Sequence, residues 1–330
     1  MLILGVETSC DETAASVLET PFSLLANVIH SQLIHERYGG VVPELASREH
    51  VRRLTGIVDQ ALRLAGCGLK DIDGLAVTYG PGLVGALLVG LTFTKSMAQA
   101  LDKPFIGINH LEGHIFSNRL RYPDCRPPFI ALVVSGGHAN LVLVEAWGHY
   151  RLLGKTRDDA PGEAFDKIAK LLGLGYPGGP EIEKKATAGD RYFIKFPRAY
   201  LGKNSYEFSF SGLKTAVAVY LRDKSEPFIR SHLADICASF QEAIVEVLAD
   251  KALAACRDFG LKKLSVTGGV AMNKRLQERI KEKADGIDIY FPGSGLTTDN
   301  AAMIAAAGAF YLERGESSPL NLNAVPYLGI

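Results

Sequence analysis

The sequence predicts a two-lobed α/β protein in which one α/β unit is used twice. Three observations predict it. A strand–turn–strand pattern occurs in each half, a strand–glycine loop–helix pattern follows it in each half, and 330 residues suffice for about two domains with separate cores.

The first unit opens with "LILGVETS", a short buried strand, and "CDETAASVLE" resumes alternation after a polar turn. "FIALVVSGGHANLVLVEA" (129–146) has the same form, with a small-residue turn at residues 135–138. The later strand, glycine loop and helix are "GLAVTYGPGLVGALLVGLTFTKSMAQAL" (74–101) and "KLSVTGGVAMNKRLQERIKEK" (263–283), in which "AVTYGPG" and "SVTGGVA" run parallel. The expected domains are 1–124 and 125–330, with an apolar boundary segment near 102–128. The second is longer because residues of about 150–235, rich in Gly, Pro, charge and aromatics, read as inserted helices; the C-terminal helix is free to pack back on the first domain. Two related α/β domains normally place a ligand in the cleft between them.

Composition bounds the function. Hydrophobic residues make up 47% and charged residues 22%, ordinary for a globular protein. The formal net charge is zero, so a polyanion site must come from a local patch. Cys10, Cys67, Cys125, Cys237 and Cys256 are scattered and never form C-x-x-C, which argues for a reducing compartment and against a cysteine zinc site. The N-terminal "MLILGVETSCDE" lacks the basic region of a signal peptide. The apolar run "GLVGALLVGLTF" (82–93) falls short of the ~18 residues that a spanning helix needs. A cytoplasmic protein with no membrane contact is expected.

Four short loops follow strands, at residues 9–13, 79–82, 135–138 and 268–273. Glycine admits close backbone approach, and successive N–H groups at a helix start attract phosphate; plain turns are the alternative. No Walker loop or dinucleotide fingerprint occurs. "GEAFDKIAKLLGLGYPGGPEIEKKA" (162–186) carries Asp166 and Glu183 on either side of a glycine turn, suited to ribose hydroxyls or simply solvated. "HLEGH" (110–114) puts His110 and His114 on one side of a helix, in reach of a single ion, a geometry that permits a metal without requiring it. In "GLTTDNAAMIAAAGAFYL", Thr298 or Asp299 is a candidate helix N-cap, and a carboxylate at that tip would complete a His-His-Asp site.

"ETSCDET" (7–13), "GPGLVGALLVG" (80–90), "HLEGH", "VVSGGH" (133–138), "FSFSGLKTA" (208–216), "GGVAMN" (268–273) and "TTDNAAMIA" (297–305) occur in order over nearly the whole chain. Together they resemble the universal tRNA adenosine threonylcarbamoyltransferase family, once mislabelled a sialoglycoprotein endopeptidase. The resemblance implies the duplicated actin, hexokinase and heat-shock-ATPase fold, with His110, His114 and Asp299 as metal ligands. It also implies that Val133, Val134, Ser135, Gly136, Gly137, Asp166, Gly179, Glu183 and Asn273 bind the adenylate substrate. "HLEGH" and "SGGH" are similar to the bacterial and organellar branch. The other branch has a tyrosine ligand where Val133 stands and asparagine where His138 stands, so a fourth protein ligand is missing here. Many relatives have Asp in place of Glu183.

The implied reaction moves a threonylcarbamoyl group from threonylcarbamoyl-AMP to the exocyclic amine of the adenosine beside the anticodon, in tRNAs reading codons that begin with A. The implied cofactor is one divalent ion, Fe(II) or Zn(II). The implied partners are tRNA, a shorter paralogue of the same fold and a small P-loop ATPase. A metalloprotease is a rival, but Glu112 lies about 200° round the helix from either histidine and points away from a shared ion. A sugar kinase or ATPase of the same superfold is another, though that class holds Mg²⁺ on carboxylates. For tRNA, the segment 184–203 carries Lys184, Lys185, Arg191, Lys195, Arg198 and Lys203 against Asp190 alone, interleaved with Tyr192, Phe193, Phe196 and Tyr200. Lys195 and Arg198 are its candidate phosphate contacts; a solvated insertion with its aromatics turned to the core is the alternative.

Overall fold

A computed structural model describes residues 1–202 and 205–330. They form two compact units, Met1–Asp124 with Pro292–Ile330, and Cys125–Phe291.

In the first unit, β1 (Leu2–Glu7), β2 (Glu12–Glu19) and β3 (Ser23–Ser31) form an antiparallel meander. β4 (Gly74–Gly80) and β5 (Phe105–Asn109) extend it in parallel beyond β1, in the order β3-β2-β1-β4-β5. Between them run α1 (Pro43–Ala65) and α2 (Val84–Leu101). Alternation along β1 sorts its faces. Leu4 and Val6 join the core with Leu54 and Val58 of α1 and Leu91 of α2, while Gly5 faces α10 (Ala301–Leu312). The sequence "AAMIAAAGAFYL" is apolar all round, as a helix enclosed on several sides must be. It packs on β1, β2 and β4 and against α3 (His110–Ser117). By length and composition alone α2 is apolar enough to cross a membrane; in this fold it lies along β4 and α1.

The second unit repeats the sheet. β6 (Phe129–Val134), β7 (Ala139–Ala146) and β8 (His149–Lys155) form the antiparallel meander, and β9 (Lys263–Thr267) and β10 (Asp288–Tyr290) add in parallel to β6. The order β8-β7-β6-β9-β10 matches the first sheet strand for strand. Its core gathers on α8 (Leu233–Asp258), whose Phe240 meets Phe165 edge-on at 5.4 Å. α4 (Pro161–Leu171), α5 (Gly178–Ala186), α6 (Ser211–Arg222) and α7 (Glu226–Ser231) precede it, and α9 (Lys274–Lys283) follows. The buried Glu242 of α8 takes a two-pronged bond from Arg275 of α9, at 2.7 and 3.1 Å.

Three details differ from the sequence reading. Residues 292–330, assigned by sequence to the second domain, group with the first. Besides α10, Ser318 N donates to Phe105 O (2.8 Å), Val325 N to Tyr79 O (2.8 Å) and Asn109 Nδ2 to Gly329 O (2.8 Å). The stretch expected as inserted helices starts with strand β8, because "YRLLGK" pairs with β7. Described residues between α5 and α6 contain no helix; Arg157 N instead donates to Phe208 O (2.9 Å).

Candidate functional site

The histidine pair stands on α3, which begins where β5 ends. Asn109 caps it by accepting from Leu111 N (2.9 Å), and all eight residues are buried. α10 crosses it closely at Gly113: a Cβ there would lie 2.7 Å from Ile304 Cδ1 and 3.2 Å from Met303 Cγ. Glycine costs a helix interior about 1 kcal/mol against alanine, and here the close approach requires it. The cap of α10 is Asn300, which accepts from Met303 N (3.0 Å), one residue beyond the two candidates from sequence. Asp299 is thereby released from capping.

Its carboxylate meets both imidazoles. Asp299 Oδ1 lies 3.1 Å from His114 Nε2 and 3.6 Å from His110 Nε2, with the rings at 84°. One ligand atom from each of the three residues falls within 4.8 Å of the others. Bonds of about 2.0–2.2 Å to one ion set ligand atoms about 3.0–3.5 Å apart at octahedral to tetrahedral angles. The two distances to Asp299 match this spacing, and a modest side-chain shift in the widest pair would let one divalent ion bind all three.

Behind His110, Nδ1 faces Glu7 Oε2 at 3.2 Å and Ser9 Oγ at 3.1 Å. Glu7 is fully buried at the end of β1; it accepts from Ser9 N (2.5 Å) and from the Thr78 hydroxyl of β4. His114 Nδ1 is buried with no hydrogen-bond partner. Burial alone would raise the Asp299 carboxyl, but the imidazoles, His110 first, hold it well below the usual carboxylate range. Burial would lower His110, yet Asp299 and Glu7 raise it well above an ordinary imidazole. Glu7 is lowered because His110 outweighs its burial, and burial keeps His114 low. The two carboxylates would balance a 2+ ion once that ion took the place of the proton His110 otherwise holds.

Glu112 is turned aside from this cluster. It is buried and accepts from the Tyr311 hydroxyl of α10 at 2.5 Å. Glu112 is thus engaged with α10, unlike the glutamate that serves as general base in a metalloprotease helix.

The other predicted residues lie in the second unit. Val133 and Val134 end β6 with buried side chains, and Ser135, Gly136 and Gly137 form the turn to β7. Ser135 N donates to His138 O (2.9 Å) and is used up by the turn. The N–H groups of Gly136 and Gly137 have no partner among the described residues, and both glycines are exposed. The same turn receives α4: Gly162 N and Glu163 N donate to Ser135 O and Gly136 O, each at 3.2 Å. On α4, Asp166 Oδ1 accepts from Gly178 N (2.7 Å), which fixes the start of α5, where a Cβ on Gly179 would meet nothing within 4 Å. Glu183 Oε1 accepts from Lys274 N (2.7 Å) at the head of α9.

By resemblance Asn273 is an adenylate-binding residue. It is the N-cap of α9, with Oδ1 accepting from Leu276 N (3.0 Å) and Nδ2 donating to Gln241 Oε1 (2.7 Å). An amide keeps one N–H and one lone pair after two such bonds. Asn273→Ala is therefore expected to cost about 1 kcal/mol of stability through the lost cap, besides any ligand affinity. Urea denaturation beside calorimetry with an adenylate analogue separates the two; unchanged stability would rule out the capping role.

In the basic segment, Lys184, Lys185 and Lys195 are exposed. Arg198 is committed to Glu246 (2.7 Å), and Lys203 lies outside the described residues. Phe196 is buried, Phe193 stacks on His232 at 4.8 Å, and Tyr192 is exposed.

The model of the family described as tRNA N6-adenosine threonylcarbamoyltransferase (TsaD) matches residues 23–306. The chain belongs to this family. It is 51% identical over 333 residues to the tRNA N6-adenosine threonylcarbamoyltransferase of Clostridioides difficile, covering 100% of this chain and 98% of that protein. The counterpart from Clostridium kluyveri is 52% identical over 330 residues, covering 99% and 97%. The chain is thus an enzyme, a transferase of this family. Among solved structures, T. kodakarensis HypF matches with a TM-score of 0.65 at 16% identity, over 95% of this chain and 48% of that one. Component A of the Acidaminococcus fermentans (R)-2-hydroxyglutaryl-CoA dehydratase matches at 0.55 and 13%, over 95% and 98%. These likenesses bear on the fold, which is the duplicated actin-like ATPase architecture expected from sequence.

Sequence reasoning did not single out Glu7, Ser9 and Thr78. A carboxylate ending an otherwise apolar strand was the available signal for Glu7. It also missed Asp158, which accepts from Phe210 N (2.8 Å) and from the hydroxyls of Ser209 (2.5 Å) and Ser211 (2.7 Å), securing "FSFSG" at the head of α6.

Proposed function

We propose that the chain transfers the threonylcarbamoyl group of threonylcarbamoyl-AMP to the exocyclic amine of the adenosine beside the anticodon, in tRNAs reading codons that begin with A. The observation that carries the metal part of this reading is the convergence of His110, His114 and Asp299 on one ion-sized space. Two imidazoles and one carboxylate suit Fe(II) or Zn(II). When bound, such an ion supplies Lewis-acid polarisation and orientation of the carbamoyl or threonyl oxygens. The exocyclic amine is a poor nucleophile, so an activated acyl donor with AMP as leaving group is needed.

In the second unit, the N–H groups of Gly136 and Gly137 would donate to phosphate or to developing negative charge. Asp166 and the second oxygen of Glu183 would accept from ribose hydroxyls, with the open space at Gly179 admitting the ligand's approach. Val133 and Val134 set the turn, and the remaining amide capacity of Asn273 would meet the base. A shorter paralogue and a small P-loop ATPase are proposed partners, and the cytoplasm the compartment. Incubating the chain with tRNA, threonylcarbamoyl-AMP and these partners, then digesting the tRNA to nucleosides, tests the reading. Cleavage of labelled peptides with no modified adenosine would favour a protease instead.

For tRNA, Lys195 is the cleaner contact, since Arg198 is held by Glu246. Lys195→Glu is expected to raise the apparent KM for tRNA and to flatten its salt dependence by a little under one unit for each lost phosphate contact. Adenylate affinity should stay put. An unchanged salt slope would make the segment a solvated face.

A further inference from the structure

We propose that Glu7 is the positioning residue that sets the tautomer and ring orientation of His110 for metal binding. The inference rests on the metal reading of the triad. A buried carboxylate can only accept, so the nitrogen facing Glu7 Oε2 at 3.2 Å is the protonated one, Nδ1–H. In a neutral ring the lone pair is then on Nε2, the atom turned to Asp299 Oδ1 at 3.6 Å. That contact is satisfied by a proton on Nε2 or, in its place, by a bound cation, and Nδ1–H stays on Glu7 in both cases. The fold has therefore fixed both ends of one imidazole: a carboxylate behind it and an acceptor ahead of it.

Glu7 is itself held in place. Ser9 N donates to Oε1 at 2.5 Å, the Thr78 hydroxyl donates to Oε2, and the residue is wholly buried. These bonds come from the turn after β1 and from the neighbouring strand β4, so the carboxylate cannot swing away without breaking either. Ser9 Oγ also approaches Nδ1, at 3.1 Å, but a hydroxyl both donates and accepts and so adapts to either tautomer. Glu7 alone enforces one. His114 has no such group, its Nδ1 lacking a partner. Carboxylates behind ligating histidines fix the tautomer and raise basicity, and losing one costs about 10–100-fold in metal affinity.

The test uses the full chain with Zn(II) as probe. In ¹⁵N-histidine correlation spectra of the Zn(II)-loaded wild-type protein, His110 is expected to carry its proton on Nδ1 with Nε2 bound to the ion. In Glu7→Gln the amide brings N–H donors to a point where three donors already converge, and Zn(II) affinity should fall about 10–100-fold by chelator competition. Ser9→Ala should stay within about threefold of wild type, since it removes only the adaptable neighbour. A proton on Nε2 or coordination through Nδ1 would overturn the proposal, as would a Glu7→Gln affinity within about threefold of wild type. The wild-type spectrum decides the matter even if Glu7→Gln does not fold. Failure of the wild-type protein to bind Zn(II) would remove the metal reading and the inference with it.

Discussion

Replacing His114 by alanine is expected to strip the bound metal and abolish transfer while the protein stays folded. His114 is the buried imidazole that burial keeps neutral, and its Nδ1 holds nothing in place, so its loss leaves no uncompensated charge. His110→Ala should also lose the ion, but at a larger cost in stability, about 3–5 kcal/mol, because the buried carboxylates of Glu7 and Asp299 lose the group between them. Metal content by elemental analysis, beside urea denaturation, separates the two behaviours. Full metal content in the double variant would remove the triad from consideration.

The second large effect is expected at Gly268, where β9 turns toward α9. Its φ is +91°, and a Cβ there would sit 2.3 Å from Val134 O at the end of β6. The obstacle is backbone, so no rotamer change relieves it, and the conformation is itself strained for an L-residue. Gly268→Ala should destabilise the protein by about 1–3 kcal/mol or more and displace residues 133–137 against Asn273. Denaturation midpoint and calorimetric affinity for an adenylate analogue should therefore fall together. Wild-type values for both would mean that the two turns do not depend on this approach.

Much of this was legible in the sequence because period and punctuation carried it. "LILGVE" and "FIALVV" are strands by composition and by the turns that bound them, and each sheet follows from the duplicated order. The i, i+4 spacing alone places His110 and His114 together. Asp299 was less legible, since the cap of α10 fell on Asn300, and only a Cβ-free Gly113 lets α10 come close enough to bring the carboxylate to α3. Glu7 was only partly legible: a carboxylate ending an apolar strand stands out, but its partner on α3 is 103 residues away and leaves no local pattern. In sequence Asn273 and Glu183 are ligand groups by resemblance, and Glu183 is equally a solvated charge; both also cap α9, a role that emerges only when the helix start is in place. Arg198 was counted as a free cation until α8 brought Glu246 beside it.

The measurement that bears most directly on the central claim is transfer by the metal-depleted enzyme. Wild-type protein stripped with a chelator is given tRNA, threonylcarbamoyl-AMP and its partners, with and without re-added Fe(II) or Zn(II), and modified adenosine is counted. Modification should vanish on stripping and return with the ion in wild type but not in His114→Ala. Undiminished modification by the stripped enzyme would contradict a metal-dependent transfer at His110, His114 and Asp299.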